Sequence, residues 1–174
     1  MKKQILTTSI SALVAGLAWQ AGASAQTLDY TAMSELFGEP VTAGATGAPQ
    51  RASDVPATMV IITGEDIRRF PERDIPGILR HYAGMDVTRY GFGDGQVNIR
   101  GAATGYTPRL LVLVNGREVY LDSYGYTAWA TLPVQLDEIQ QIEVVKGAQS
   151  ALYGFNAVSG VVNIITRNPE LGNY

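Results

Sequence analysis

A chain of 174 residues with thirteen basic and sixteen acidic side chains has room for one domain plus extended ends, at a net charge of −3. Its 46% hydrophobic content allows a modest core. The absence of cysteine removes disulfides and cysteine–zinc sites, a single histidine (His81) leaves no protein-built transition-metal site, and interspersed charges without a basic block argue against a nucleic-acid partner.

Lys2 and Lys3 precede an apolar run from Ile5 to Ala18 that is too short to span a bilayer. Ala23-Ser24-Ala25 then supplies a small-x-small cleavage site. Residues 1–25 therefore read as an export signal peptide, whose removal would take the net charge from −3 to −5. A buried N-terminal helix is the alternative. No later segment is long and apolar enough for a membrane helix, so the product is expected to leave the cytoplasm without spanning a membrane alone. Residues 26–53, rich in Ala, Gly, Thr and Pro, read as a flexible arm with one helical hint at Ser34-Glu35-Leu36-Phe37.

The folded part is expected over 54–167. Met59 to Ile62 is a buried-strand pattern. Thr63 and Asp66 have capping-box spacing, so a helix should start at Gly64 or Glu65 and stop before Pro71. Asp74 can cap a second helix with Pro76 in its first turn. Ile75, Ile78, Leu79 and Tyr82 would share its inner face, and Gly84 suits its left-handed end. Met85 to Arg89 alternates as a short strand, and Tyr90 to Gln96 reads as a glycine-rich loop. Gln96 to Arg100 alternates again. Leu110 to Val114 is apolar throughout, as in a strand buried on both faces. Asn115-Gly116 marks a hairpin into Arg117 to Tyr120. Leu121 to Leu132 is an aromatic loop, and Ile139 to Lys146 and Gly160 to Thr166 complete the strands. The sum is an α+β domain: a small mixed β-sheet with two or three short helices.

Catalysis finds little support. A Ser or Thr nucleophile needs an adjacent base, and His81 reads as a partly exposed helix residue. Glu65/Asp66 and Asp137/Glu138 are sequence neighbours whose side chains diverge. Gly147, Gly154 and Gly160 read as turn residues rather than a phosphate loop, because the second glycine and the lysine of that motif are missing. Gly91 to Gly95 is not a dinucleotide fingerprint, since no helix follows it. The chain is read as not an enzyme, with no cofactor.

Five pieces in order carry a family resemblance: Val60 to Ile67, Ile75 to Val87, Val97-Asn98-Ile99-Arg100-Gly101, Leu111 to Arg117, and Ile142 to Arg167. Together they resemble the plug domain of TonB-dependent outer-membrane receptors over about two thirds of the chain. The family's Pro-Gly and Lys-Gly-Pro steps are Ala83-Gly84 and Lys146-Gly147-Ala148 here, which loosens both turns.

The resemblance implies a plug folded inside an outer-membrane β-barrel of about 22 strands. It faces the periplasm and gates energy-dependent uptake of a scarce nutrient, with siderophore-bound iron the commonest cargo. Such a barrel needs at least ~220 further residues. Residues 168–174 form a tail at the expected start of that barrel. The implied partners are the energy-coupling protein TonB, the barrel, and a small-molecule ligand such as a metal chelate. TonB grips its receptors by strand addition, a mode tolerant of sequence. Glu39, Pro40, Val41, Thr42 and Ala43 are the candidate gripped segment, although an ordinary linker would look the same. Arg100 occupies the place of an arginine that pairs with barrel carboxylates in the family. The candidate ligand contacts are Tyr90 and Phe92 in one loop, Tyr106 in the next, and Tyr120, Tyr124, Tyr126 and Trp129 in a third. Any one of these rings could instead pack on a barrel wall or on the plug itself. A free-standing soluble periplasmic module and, more remotely, a hydrolase are the alternative readings.

Overall fold

A run with no glycine or proline, Ile139–Lys146, whose strand-favouring residues are Ile139, Ile142, Val144 and Val145, makes the long interior strand β8. The computed structural model describes residues 29–91, 94–100, 109–119, 121 and 126–167. Before β8 come α1 (Tyr30–Phe37), β1 (Val41–Thr42), β2 (Gln50–Arg51), β3 (Thr58–Thr63), α2 (Gly64–Arg69) and α3 (Ile75–Leu79). They are followed by β4 (Met85–Gly91), β5 (Asp94–Ile99), β6 (Leu110–Val114) and β7 (Arg117–Glu118). After β8 come α4 (Ser150–Tyr153) and β9 (Gly160–Thr166).

The main sheet is mixed, in the order β3-β8-β9-β6-β7. β6 and β9 run parallel, and the other neighbours are antiparallel. Alternation along the strands divides the side chains between two faces. On one face Ile62, Ile142, Val144, Val162, Ile164 and Val112 meet Ile67 of α2, Ile75, Ile78 and Leu79 of α3, and Met85, Val97 and Ile99 of the β4–β5 hairpin. This is the main core. The other face carries a smaller apolar cluster of Leu111, Leu113, Val161 and Ala157. Beside it lies a polar row in which Ile61, Glu143, Asn163 and Leu113 are register neighbours.

The local signals act as the sequence predicts. Thr63 Oγ1 accepts from the Asp66 amide at 3.2 Å, and the Thr63 amide donates to Asp66 Oδ2 at 3.1 Å, closing the capping box of α2. Asp74 Oδ1 accepts from the Gly77 amide at 2.7 Å and caps α3. That helix ends at Leu79, and the chain continues to Tyr82 in tighter turns, with the His81 and Tyr82 amides donating to Ile78 and Leu79 carbonyls. Gly84 then takes a φ of 81°. Asn115 and Gly116 adopt φ of 49° and 76°, the pair of positive values a two-residue hairpin demands.

Two expectations need correction. The stretch from Tyr90 to Gln96 is not a loop: β4 and β5 pair from Met85↔Ile99 to Gly91↔Asp94 and form a hairpin of their own. Its glycines cost the strands backbone entropy, but Met85, Val97 and Ile99 anchor the pair in the core. The arm is likewise folded over its described part, residues 29–53, as α1, β1, β2 and a 3-10 turn at Ala52–Asp54. Composition suggested mobility, but Val41 and Thr42 are almost fully buried, and that burial holds the segment on the sheet.

Candidate functional site

The segment Glu39 to Ala43 is paired within the arm and tied through Val41 to the main sheet. Val41 and Thr42 pair with Arg51 and Gln50. The Ala52 amide donates to the Pro40 carbonyl at 3.0 Å, and Glu39 accepts from the Ser53 hydroxyl at 2.9 Å. Gln141 Nε2 donates to the Val41 carbonyl at 2.9 Å, and the Tyr153 hydroxyl donates to the Gly44 carbonyl at 2.6 Å. The expected extended, accessible strand is therefore a docked one. The Gln141 and Tyr153 bonds come from side chains on β8 and α4, elements about a hundred residues away in sequence.

Beneath the docked segment lies Glu143, at 0% exposure. Its Oε1 accepts from Gln141 Nε2 at 2.9 Å, while Oε2 is buried without a hydrogen-bond partner among the described residues. Burial pushes the Glu143 carboxyl above the usual carboxylate range. The side chains of Thr42, Gln141 and Asn163 and the Ala43 amide oppose that shift without cancelling it. Two phenols share the environment. Tyr30 is pushed up to about 12 by burial and then by the charges of Glu143 and Tyr153. Tyr153 is raised by burial and then by Glu143.

Beside this group an open cleft of about 540 Å³ separates α1 and the start of β1 from α2 and β8. Asp29, Tyr30, Glu39, Arg68 and Arg167 line it, so it mixes both charge signs. Among the described residues, it contains none of the rings expected to contact ligand.

Three of those rings fall among the described residues. Tyr90, 56% exposed, stands near the end of β4. Tyr126 pairs with Leu121, whose amide donates to the Tyr126 carbonyl at 3.0 Å. Trp129, half-buried, packs against the main core. A small crevice lined by Gln96, Val97, Leu110 and Val112 brings Tyr126 and Trp129 together. Phe92, Tyr106, Tyr120 and Tyr124 lie outside the described residues, as do the expected signal peptide and the tail 168–174. Arg100 is exposed just after β5, with a φ of 59° and its amide bonded to the Gly84 carbonyl at 2.9 Å. His81 stacks on Phe70 at 4.8 Å and bonds Glu72 at 3.1 Å.

Sequence reasoning missed Gly44, Gln141, Glu143 and Tyr153. The available signal was the alternation of Gln141 and Glu143 on one face of a strand whose flanking positions Ile142, Val144 and Val145 are apolar.

Residues 51–161 match the family model of the TonB-dependent receptor plug domain. Among solved structures, the ferripyoverdine receptor of the outer membrane of Pseudomonas aeruginosa, bound to ferripyoverdine, shares the fold at 23% identity and a TM-score of 0.62. That match covers 75% of this chain and 17% of the receptor. A ferric enterobactin receptor mutant of the same organism, in complex with enterobactin, is 32% identical at a TM-score of 0.50, over 64% of this chain and 18% of that one. The siderophore receptor PirA of Pseudomonas aeruginosa is 36% identical over 65% of this chain and 19% of its own, at a TM-score of 0.48. The chain thus spans less than a fifth of the length of these receptors.

Proposed function

The chain belongs to the TonB-dependent receptor plug domain family, and on that premise we propose that it is the gate of an outer-membrane receptor importing iron chelated by a siderophore. The plug is a transport component. In this reading it fills a barrel of about 22 strands, and its rings at Tyr90 and Tyr126 stand toward incoming ligand. TonB grips residues 39–43 by strand addition and opens the gate. The observation that supports the cargo most is the 32% identity to a receptor solved with enterobactin.

The docked arrangement of residues 39–43 adds a condition. Val41 and Thr42 must undock before a partner strand can replace β2, because β2 already pairs with them, Gln141 of β8 holds the Val41 carbonyl and Tyr153 of α4 holds the Gly44 carbonyl just beyond. A proline at position 41 in the whole chain would disturb that docking as well as the grip, so the two must be separated. A synthetic peptide of residues 37–45 should bind the C-terminal domain of TonB, and the same peptide carrying Val41→Pro should not. Equal binding by both removes the segment. For the cargo, producing cells should accumulate radiolabelled ferric siderophore in a saturable manner that a protonophore abolishes. Accumulation no greater than in cells lacking the gene would refute siderophore uptake.

A further inference from the structure

The face of β8 under residues 41–44 carries two polar side chains where an anchor would ordinarily be apolar: Gln141, 6% exposed, and Glu143. The side-chain contacts made there include hydrogen bonds to main chain: Gln141 reaches the Val41 carbonyl and Tyr153 reaches the Gly44 carbonyl. The Glu143 carboxyl lies against Thr42, Ala43 and Gly44, with Oε2 left without a hydrogen-bond partner among the described residues and set to clash with any β-carbon at position 44. Apart from the single buried side chain of Val41, the segment is held by bonds that are exchanged for water at small net cost. The attachment suits a segment that must come off.

The carboxyl decides how firmly it holds. Among the described residues, the titratable groups facing Glu143 are Tyr30 of α1 and Tyr153 of α4. From β1, β8 and β9 it meets Thr42, Gln141 and Asn163, which do not titrate. None of these brings a positive charge, so a buried carboxylate here is costly and a protonated carboxyl is not. We propose that Gln141, Glu143 and Tyr153 form a proton-dependent latch, which holds residues 41–44 on the sheet while Glu143 is protonated and frees them when the proton leaves. Undocking brings the carboxyl into water, where it ionises. Release of the segment and release of the proton are therefore one linked equilibrium. Because docking raises the carboxyl above its ordinary value of 4.5, the latch is firmest below that value and loosens as pH rises through the docked one. The role of the latch rests on the receptor reading: it sets how much of the gripped segment is free for the energy-coupling protein.

A nitroxide label at the exposed Ala48, in the full chain, reports docking by electron paramagnetic resonance. The mobile fraction should grow from about pH 4 to about pH 9 as a single-proton transition. Glu143→Gln, neutral throughout, should hold the label at the docked end of that profile. Tyr153→Phe should raise the mobile fraction at every pH and keep the profile. A wild-type profile that is flat, or one that Glu143→Gln leaves unchanged, overturns the proposal. Should Glu143→Gln not fold, the carbon-13 titration of the Glu143 carboxyl in the unaltered chain decides. A transition above the ordinary range supports the latch, and one within that range overturns it. No coupling protein takes part, so a negative result here leaves the receptor reading standing, and a failure of the peptide to bind TonB leaves the latch standing.

Discussion

Gly44 and Glu143 interlock: the β-carbon of any residue other than glycine at 44 would clash with Oε2 of the carboxyl. The constraint is one of space, since no left-handed backbone angle is involved at Gly44. Gly44→Ala must therefore push the segment off the sheet or displace Glu143. The expected outcome is faster amide exchange over residues 40–51 with exchange in β8 and β9 unchanged. Unaltered exchange over 40–51 would contradict the interlock.

Asp74 does two jobs at once. Its Oδ1 caps α3, and its two oxygens take a forked pair of hydrogen bonds from Arg89 at 2.7 and 2.8 Å, tying α3 to β4. The Arg89 hydrogen bonds are the main reason its carboxyl lies below the ordinary 3.8, followed by the opposing effect of burial. A lowered value stabilises the fold above the unfolded-state value and loses that contribution as pH falls through the folded one. Asp74→Ala should cost about 1 kcal/mol at neutral pH from the cap. The half-exposed ion pair adds less than about 1 kcal/mol. Denaturant titrations should show that difference shrinking below about pH 4. A penalty that stays constant into acid would mean that the charge plays no part.

Gly154 and Gly160 should respond differently to substitution. Gly154 takes a φ of 86° after α4 with no atom near its missing β-carbon, so the cost of Gly154→Val is backbone strain, at least ~1–2 kcal/mol. Gly154→Asn should cost about as much, because with ψ at −170° the position lies outside the left-handed helical region that asparagine tolerates and in one held almost only by glycine. Gly160, at the start of β9, has no such angle. There a methyl would strike the Val145 carbonyl oxygen and lie 2.7 Å from Ile99 Cδ1. Gly160→Ala should therefore cost about 1–3 kcal/mol through a clash. Thermal unfolding of the variants checks both: a Gly154→Asn variant as stable as the unaltered chain would overturn the backbone account, and an unaffected Gly160→Ala would overturn the steric one.

Much of the fold was legible because its signals are local. Thr63 with Asp66, Asp74 with Pro76, and Asn115-Gly116 each fix a boundary through bonds spanning a few residues. The β-branched runs of β8 and β9 have no competing reading. The hairpin of β4 and β5 was obscured because Gly91 and Gly95 weaken strand propensity, while the packing that favours it comes from α3 and β6. The docked arm was hidden for a related reason. Nothing within residues 39–44 announces burial, and the groups that hold it, Gln141, Glu143 and Tyr153, lie far off in sequence. Of the ligand rings, Trp129 illustrates the limit of reading aromatics from sequence, since an indole serves a core as well as a binding surface.

The central claim is that this chain acts as the gate within an outer-membrane receptor. The direct test is the size and place of the native product, read by an antibody against residues 54–167 on blots of periplasm and outer membrane. The account predicts a band several times larger than 18.7 kDa in the outer membrane. A band near the chain's own mass, confined to the periplasm, would contradict it.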